Sequence, residues 1–426
     1  MHKRKETVMG FNDTPKAERL HISIFGKRNS GKSSLINALT GQDIALVSKM
    51  PGTTTDPVFK AMEMKPVGPV VFVDTAGFDD EGELGLLRVE RTEDVVDITD
   101  IGIMVIGYET FVCEDMHVAV RQEREWAEKL RKLDIPLLIC INKIEEVEKH
   151  MERDEIERRK GYIAKELSAK ETQITETDAV NGRGIENLRR AISDSVPEDF
   201  MRRSILGGLV SAGSLVMLVM PQDIQAPKGR LILPQVQTMR ELLDKKCTIA
   251  ASTADGFERS LKALDHAPDL IITDSQCFRF VFDRKPEESE LTSFSVLFAA
   301  YKGDVKVFAD GALALDDITE NSRVLIAEAC SHVPLEEDIG RVKIPALLRK
   351  KAGENIEIVN VSGNDFPDRE KLKDFDLVIH CGACMFNRSH VMSRIREARE
   401  AGVPVTNYGI AIAKLSGILD DVKLPG

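Results

Sequence analysis

Short apolar segments alternate with amphipathic segments along the chain, and the alternation becomes regular from residue 21 onward. In the first half, apolar segments with strand character span residues 21–25, 70–74, 100–106, 136–142 and 173–178, and a helical pattern spans residues 185–195. Strands that alternate with helices are typical of a mostly parallel sheet covered on both faces. The pattern therefore predicts an α/β domain over residues 1–200, which ends in a linker at residues 196–199.

Two further parts of the chain show the same alternation. Predicted strands lie at residues 215–220, 248–251 and 270–273, and then at residues 324–327, 356–361, 377–380 and 403–406. We therefore expect two smaller α/β domains with mostly parallel sheets, over residues 201–305 and 306–426. The longest apolar stretch, residues 205–220, is 16 residues long and contains several glycines and serines, which favours a buried strand over a membrane span.

A glycine-rich loop follows the first predicted strand and opens a helix. Its sequence, GKRNSGKS, matches the phosphate-binding P-loop, whose backbone N–H groups face the phosphates of a nucleotide. We expect Lys32 to neutralise the β- and γ-phosphates and Ser33 to ligate Mg²⁺. The candidate nucleotide-binding residues of this loop are Gly26, Asn29, Ser30, Gly31, Lys32, Ser33 and Ser34.

A second motif, Asp74-Thr-Ala-Gly77, places a metal-binding carboxylate at the end of another predicted strand. Together with the P-loop and the motifs described below, it predicts a GTPase. Asp74 ends the strand at residues 70–74, where it can hold Mg²⁺ through water. The N–H group of Gly77 follows at a position where it can meet the γ-phosphate.

Two later motifs predict that the base is guanine. Asn142-Lys143-Ile144-Glu145 resembles the N-K-x-D motif of GTPases, in which a carboxylate accepts hydrogen bonds from guanine N1–H and the 2-amino group. Glu145 replaces the usual aspartate, so we expect guanine specificity to persist and affinity to fall. Asp178-Ala179 resembles the last base-contacting motif, which is usually Ser-Ala.

The segment between the first two motifs resembles the G-T-T-x-D switch of the TrmE–Era family of GTPases. The matching sequence is PGTTTD at residues 51–56, and the resemblance implies that Thr54 is a Mg²⁺ ligand. Phe78 follows Gly77 where Ras-like GTPases carry a water-orienting glutamine. Asn29 matches the asparagine that helps to bind K⁺ in potassium-dependent members. We therefore expect slow hydrolysis that K⁺ stimulates by stabilising transition-state charge.

Charge and composition limit the remaining function classes. The formal net charge is −12 and the pI is near 5.4, which argues against a large nucleic-acid-binding surface. Residues 1–6 are polar and no apolar signal segment follows them. The odd number of cysteines, without a disulfide-like spacing, indicates a reducing compartment. We expect a cytoplasmic protein that binds neither nucleic acid nor membrane.

Five candidate metal ligands form two short clusters near the C-terminus. Cys330 and His332 form a C-x-H motif, and His380, Cys381 and Cys384 form an H-C-x-x-C motif after 47 intervening residues. Both clusters follow predicted strands, at the carboxyl ends where open α/β sheets bind ligands. Cys384 is predicted to lie near the start of a helix that runs to about residue 400, whose dipole would favour a thiolate.

Three interpretations of these clusters remain open from spacing alone. A tetrahedral zinc site with Cys₃His or Cys₂His₂ ligands is chemically satisfactory. A 4Fe–4S cluster on the three cysteines, with an exchangeable fourth position, is equally compatible with the thiolates. The third interpretation is unrelated packing, since free cysteines are often buried as small apolar groups. The other cysteines are predicted to be structural.

GTPase motifs followed by these two clusters resemble the HydF family of FeFe-hydrogenase maturation GTPases over nearly the whole chain. The resemblance implies a 4Fe–4S cluster held by Cys330, Cys381 and Cys384. It leaves His332 and His380 as either ligands or hydrogen-bonding neighbours of the cluster. It also implies that residues 201–305 form a homodimer. The implied function is a scaffold that receives a 2Fe unit made with the radical-SAM maturases HydE and HydG and delivers it to apo FeFe-hydrogenase.

Two other function classes are weighed against this one. The first is a potassium-dependent GTPase of the TrmE–Era type that acts on tRNA or the ribosome and carries a structural zinc site. The acidic charge and the lack of a recognisable RNA-binding module argue against it. The second is a zinc-stabilised GTPase switch with only protein partners. Metal analysis and a visible absorption spectrum of protein purified without oxygen would distinguish the iron–sulfur interpretation from these zinc alternatives.

Overall fold

The fold is an α/β arrangement with three separate, mostly parallel sheets. The computed structural model describes residues 15–41, 57–79, 83–221, 231–329, 338–363 and 365–425. Contacts divide the chain into two compact units, Met1–Arg202 and Arg203–Gly426, which are described in turn. The predicted fold class, a P-loop domain followed by α/β domains with mostly parallel sheets, is confirmed.

The first unit contains a six-stranded sheet in the order β2-β3-β1-β4-β5-β6, in which only the β2–β3 pairing is antiparallel. Every residue of β1 and β4 is buried, as expected for central strands covered by helices on both faces. The strands are β1 Leu20–Phe25, β2 Val58–Met64, β3 Gly68–Asp74, β4 Ile101–Ile106, β5 Leu137–Ile141 and β6 Ile174–Glu176.

The helices of the first unit cover both faces of this sheet and enclose a separate apolar core on each face. They are α1 Lys32–Thr40, α2 Glu83–Val96, α3 Tyr108–Val112, α4 Met116–Ala119, α5 Arg121–Lys132, α6 Ile144–Glu148, α7 Arg153–Glu166, α8 Ile185–Asp194 and α9 Glu198–Arg202.

The second unit contains two four-stranded sheets, each fully parallel within the described residues. Their orders are β10-β9-β7-β8 and β12-β11-β13-β14. The strands are β7 Leu215–Val219, β8 Thr248–Ser252, β9 Leu270–Thr273, β10 Glu290–Ser293, β11 Arg323–Glu328, β12 Glu357–Ser362, β13 Leu377–His380 and β14 Val405–Asn407. In each sheet the first and third strands in chain order are neighbours, which creates a topological switch point at their carboxyl ends.

One apolar core joins the two sheets of the second unit, because buried side chains of both belong to a single cluster. The helices are α10 Leu233–Asp244, α11 Phe257–Leu261, α12 Phe278–Phe282, α13 Phe294–Lys302, α14 Val305–Ala312, α15 Ile344–Ala352, α16 Arg369–Leu372, α17 Arg388–Glu400 and α18 Tyr408–Leu415. A single π-helical turn at Ile339–Lys343 precedes α15.

The local structure departs from the sequence prediction in the linker and in two strands. Residues 198–199, predicted as linker, belong to α9, because the helix continues through Arg202. Strands β2 and β10 were not predicted. In β2 only Met64 is buried, so this edge strand lacks the apolar run that marks a central strand. Helix α17 begins at Arg388 and ends at Glu400, and Cys384, which was predicted near the start of this helix, lies four residues before it.

Within the described ranges, no helix is both long and apolar enough to span a bilayer. The apolar stretch at residues 205–220 contains β7, whose five residues are all buried. The prediction of a buried strand there is confirmed.

The close packing of α14 against β14 depends on glycine. A Cβ atom at Gly311 would lie 2.0 Å from the carbonyl oxygen of Val405, and the backbone of a hydrogen-bonded strand cannot yield that space cheaply. Gly161, on the exposed face of α7, has no atom within 4 Å of such a Cβ.

We therefore expect Gly311→Ala to destabilise the second unit by about 1–3 kcal/mol through overpacking. Gly161→Ala should instead stabilise the first unit by up to about 1 kcal/mol, because alanine favours the helix. Scanning calorimetry of both variants measures the two shifts. An unchanged or raised melting temperature of the second unit in Gly311→Ala would contradict this account.

Candidate functional site

The predicted P-loop connects β1 to α1 at the centre of the first sheet, where β1 lies between β3 and β4. Gly31 adopts a left-handed backbone with φ of 95°, and a Cβ there would lie 2.2 Å from Nδ2 of Asn142. Glycine is therefore required at this turn for both its conformation and its lack of a side chain. Asn29 also has a positive φ, 58°, and its side chain is exposed at the loop surface.

The loop lysine is buried and faces the loop backbone. Lys32 Nζ donates hydrogen bonds of 2.8 Å to the carbonyl oxygens of Gly26 and Lys27. Its charge is thus held against the loop backbone, beside which phosphates bind in P-loops. Ser34 is exposed in the first turn of α1.

Ser33 and Asp74 come together as the metal-binding interpretation requires. The Ser33 hydroxyl donates a 2.6 Å hydrogen bond to Oδ2 of Asp74, which ends β3. Oδ1 of Asp74 is buried without a hydrogen-bond partner among the described residues. Burial raises the pKa of Asp74, although the Ser33 hydrogen bond and the charges of Lys32 and Lys60 oppose the shift. A buried carboxylate oxygen beside a serine hydroxyl is a suitable donor set for Mg²⁺.

The segment after Asp74 packs directly on the P-loop. A Cβ at Gly77 would lie 2.7 Å from the backbone nitrogen of Arg28, so only glycine permits this approach. The Arg28 N–H also donates a 2.6 Å hydrogen bond to Oδ1 of Asp79. Gly77 is therefore placed beside the loop that would hold the phosphates.

Phe78 and Trp126 form an aromatic stack behind this segment. The ring centroid of Trp126 lies 5.8 Å from that of Phe78 and 5.7 Å from that of Phe25. Phe78 is only 6% exposed, so its side chain is part of the core and does not face a nucleotide. Helix α5, which carries Trp126, also contributes Glu123, whose carboxylate lies 3.2 Å from Nζ of Lys27 in the P-loop. Burial raises the pKa of Glu123.

Asn142 joins the P-loop to the loops predicted to contact the base. Its side chain is 1% exposed and its Nδ2 donates a 3.0 Å hydrogen bond to the carbonyl oxygen of Ser30. Its Oδ1 accepts hydrogen bonds of 3.2 Å from Thr177 Oγ1 and from the Ala179 N–H group. One side-chain amide thus connects three segments that are distant in sequence.

Glu145 lies in the first turn of α6, with its carboxylate at the mouth of this loop region. Oε2 of Glu145 accepts a 2.5 Å hydrogen bond from Nδ2 of Asn181, a contact that the sequence did not predict. Oδ1 of Asp178 accepts from the N–H groups of Val180 and Asn181, which folds the loop back toward Glu145. Lys143 has a left-handed backbone and its Nζ lies 3.6 Å from Oε1 of Glu109.

The second predicted site lies at the switch point of the third sheet. Cys381 directly follows β13, and its backbone N–H donates a 2.9 Å hydrogen bond to Ala327 of the neighbouring strand β11. Sγ of Cys381 accepts hydrogen bonds from the backbone N–H groups of Ala329 (3.1 Å) and Ala383 (3.4 Å). Two backbone N–H donors are thus directed at this one sulfur.

His380 is held by hydrogen bonds at both ring nitrogens. Nδ1 lies 2.9 Å from the carbonyl oxygen of Cys381, and Nε2 lies 3.2 Å from the Arg394 guanidinium. Because the carbonyl can only accept and the guanidinium can only donate, the ring is neutral with its proton on Nδ1. Burial and the charge of Arg394 lower the pKa of His380 to about 3. Arg394 was not singled out from the sequence, since its place on α17 has no fixed spacing from the motif.

Three predicted site residues, Thr54, Cys330 and His332, lie outside the described residues. Cys330 follows Ala329 in sequence, and Ala329 is in contact with the Cys381 sulfur. Within the part of the chain that the structure describes, no group of three or more potential ligands is arranged around a metal position. Cys384 is half-buried, and Cys140 is a core residue whose burial raises the pKa of its thiol to about 12.

Comparison with known proteins agrees with a P-loop GTPase fused to two α/β segments. The model of the 50S ribosome-binding GTPase family matches residues 21–143. The model of the hydrogen maturase F dimerization domain matches residues 205–303, and that of the hydrogen maturase F tetramerization domain matches residues 306–423. The protein is thus a GTPase by class. The two maturase models cover just over half of the chain, which belongs to the hydrogen maturase F family, HydF.

Individual relatives match mainly the GTPase region. GTPase Der of Persephonella marina is 31% identical over 192 residues, which are 44% of this chain and 41% of Der. The tRNA modification GTPase MnmE of Desulforamulus reducens is 29% identical over 199 residues, 46% of this chain and 39% of MnmE. This chain therefore spans less than half the length of either relative. A solved structure of an Era variant from Aquifex aeolicus bound to GDP.AlF4- has 17% identity and a TM-score of 0.34, covering 57% of this chain and 98% of Era.

The buried Asp74 carboxylate predicts a pH-dependent cost to stability. Its raised pKa means that the neutral form is favoured in the fold, so the cost is absent at low pH and grows as pH rises through that pKa. Without Mg²⁺ and nucleotide, Asp74→Asn should therefore raise the melting temperature at about pH 7 and much less at about pH 4. Asp194→Asn, at an exposed position of α8, is the matched control. An equal gain at both pH values would show that charge burial is not the cause.

Proposed function

We propose that this GTPase is a carrier that binds a 4Fe–4S cluster and delivers a 2Fe subcluster to apo FeFe-hydrogenase during its maturation. The observation that supports this most strongly is the conjunction of two features. Segments matching both hydrogen maturase F domains follow a GTPase domain, and Cys381 lies at a sheet switch point with two N–H donors on its sulfur.

We assign the nucleotide contacts to the residues of the sequence motifs, in the positions that these residues have in the first unit. Lys32 contacts the β- and γ-phosphates, together with backbone groups of residues 26–34, and Gly77 meets the γ-phosphate. Mg²⁺ is held by Ser33 and Asp74, whose side chains are already 2.6 Å apart, with Thr54 as the switch ligand. The base is bound by Asn142, Lys143, Glu145, Asp178 and Ala179, which the amide network of Asn142 brings to one edge of the sheet.

Guanine selectivity is proposed to depend on Glu145, whose carboxylate would pair with the N1–H and 2-amino groups. Asn181 holds this carboxylate in position. Glu145→Ala should weaken GTP binding by about 2–3 kcal/mol, the range of a lost charged hydrogen bond. Glu146→Ala is the matched control, because Glu146 is the next residue on α6 and pairs with Lys149.

Calorimetric titration with GTP and with inosine triphosphate, which lacks the 2-amino group, measures this effect. The loss in Glu145→Ala should be smaller for inosine triphosphate, because part of the interaction is already missing. If ATP competed with GTP at equal concentration for the unmutated protein, the guanine assignment would be wrong.

Hydrolysis is proposed to use K⁺ bound by Asn29 in place of a catalytic glutamine. Phe78 occupies the glutamine position and is buried against Trp126, so no side chain there can orient water. Replacing K⁺ by Na⁺ should lower the turnover rate and leave GTP affinity largely unchanged, because the cation acts on transition-state charge. Asn29→Ala should show the same low rate in both salts. Equal rates for the unmutated protein in KCl and NaCl would refute the role of potassium.

The residues of the third sheet fit a thiolate-bound cluster. The two N–H groups that face the Cys381 sulfur are the kind of donors that stabilise Fe–S thiolates. Cys330, Cys381 and Cys384 would hold the cluster, which would supply an iron position open to a replaceable ligand. His380 is proposed as a neighbour and not a ligand, because both of its ring nitrogens are already hydrogen-bonded.

Each of the three cysteines should be required for iron binding, while His332 and His380 should not. Alanine variants of Cys330, Cys381 and Cys384 should lose the brown, oxygen-sensitive chromophore and retain GTP hydrolysis. His380→Ala should retain iron with an altered electron paramagnetic resonance spectrum. Cys140→Ala, which removes a buried thiol in the first unit, is the matched control and should retain the iron. A variant without all three cysteines that still activated apo-hydrogenase would show that the carrier proposal is wrong.

The proposed partners and the proposed assembly are those implied by the hydrogen maturase F family. The matched dimerization and tetramerization domains indicate that the chain oligomerises. We propose that residues 201–305 form the homodimer and that HydE, HydG and apo-hydrogenase are the partners in cargo transfer. We also propose a cytoplasmic location.

A further inference from the structure

A cavity of about 560 Å³ lies in the second unit, apart from the cysteine motif. Three elements form its walls: the segment Ser275–Cys277 with α12, the π-helical turn with α15, and α18. The first wall belongs to the part of the chain that matches the dimerization domain, and the other two belong to the part that matches the tetramerization domain. The volume is in the range of small-molecule sites, which is about 300–1,000 Å³.

The position of the cavity in the fold is one that binds ligands in other open α/β sheets. Ser275 and Gln276 come directly after the carboxyl end of β9, which neighbours β7 at the switch point of the second sheet. Crevices outside such strand ends are the usual ligand sites of this architecture. The opposite wall contains a π-helical turn, a feature that is rare overall and frequent at functional sites.

The charge of the cavity is opposite to that of the protein. The chain carries a net charge of −12, yet four cationic side chains and no acidic one line this cavity within the described residues. The cationic residues are Arg279, Lys343, Lys350 and Lys351. Three of them, Lys343, Lys350 and Lys351, come from the wall formed by the π-helical turn and α15.

The described acidic residues only partly balance these charges. Asp283 pairs with Arg279 at 2.9 Å, and Asp316 lies 4.0 Å from Lys351 while it pairs more closely with Lys414 at 2.7 Å. Lys343 is half-buried, and its Nζ donates a 2.5 Å hydrogen bond to the carbonyl oxygen of Gln276, a neutral partner. Burial lowers the pKa of Lys343, although the charges of Cys277 and Asp274 oppose the shift, so Asp274 also balances part of its charge. Like charges gathered in a partly desolvated space favour an anionic ligand.

The shape and chemistry of the lining narrow the class of anion. A guanidinium and several ammonium groups are the usual partners of phosphate oxygens, and their spread over two walls suits more than one phosphate group. The apolar side chains of Leu347, Ile412 and Leu415 form the remaining surface. We propose that this cavity binds a small anion that carries at least two linked phosphate groups.

Pyrophosphate is the probe for the test, with the full-length protein and with the P-loop filled by GDP. Mg²⁺ is left out because pyrophosphate would chelate it, and ionic strength is held constant because exposed charges are screened by salt. Calorimetry should show one site for each chain. Lys350→Ala and Arg279→Ala should each weaken binding by about tenfold or more, as expected for a lost charged contact. Lys350 is exposed, so its substitution does not disturb the core.

Lys306→Ala is the control, since Lys306 is an exposed lysine of the same unit that lies outside the cavity lining. Amine labelling read by mass spectrometry adds a site-specific measurement. Pyrophosphate should protect Lys343 and Lys350 and leave Lys306 reactive. Unchanged affinity in both cavity variants, or equal protection of all lysines, would overturn the proposal. Citrate that bound as tightly as pyrophosphate would overturn the assignment to phosphate.

Discussion

Parallel strand pairing is the constraint on which the rest of this molecule depends. A parallel neighbour requires a crossover, so a strand that leads to a parallel neighbour is followed by a loop at one edge of the sheet and by a helix that returns across the face. Both predicted sites follow from this. The P-loop leaves β1 between β3 and β4, and Cys381 leaves β13 beside β11. In both cases the strand at the switch point brings together loops that are distant in sequence.

Buried amides then convert neighbouring loops into sites of fixed geometry. Asn142 bonds to Ser30 and to Ala179, so the phosphate and base regions cannot move independently without exposing or breaking a buried polar contact. Asn407 has the same role in the third sheet. Its Nδ2 lies 3.4 Å from the Cys381 carbonyl oxygen, and its Oδ1 accepts a 3.0 Å hydrogen bond from Ser295 of α13. The cysteine loop is thereby joined to the part of the chain that matches the dimerization domain.

The sequence predicted best what depends on local pattern and on buried strands. The bounds of β9 and β13 agree with the predicted residues 270–273 and 377–380, since each is a short apolar run buried along its length. Edge strand β2 was not predicted, because its solvent-exposed residues interrupt the continuous apolar run by which the other strands were recognised. Partners brought by tertiary contact were missed too: neither Asn181 beside Glu145 nor Arg394 beside His380 has a spacing that a motif could reveal. The ligands at positions 54, 330 and 332 remain predictions.

Trp126 is the single tryptophan of this chain. It stacks on Phe78, which directly follows Gly77 at the γ-phosphate end of the proposed nucleotide site. Indole emission depends on the polarity and packing around the ring, and here all of that emission comes from one position on α5. Any movement of residues 77–79 changes the packing of that ring. A rearrangement of residues 77–79 would therefore be visible in the intrinsic fluorescence of Trp126, without a label.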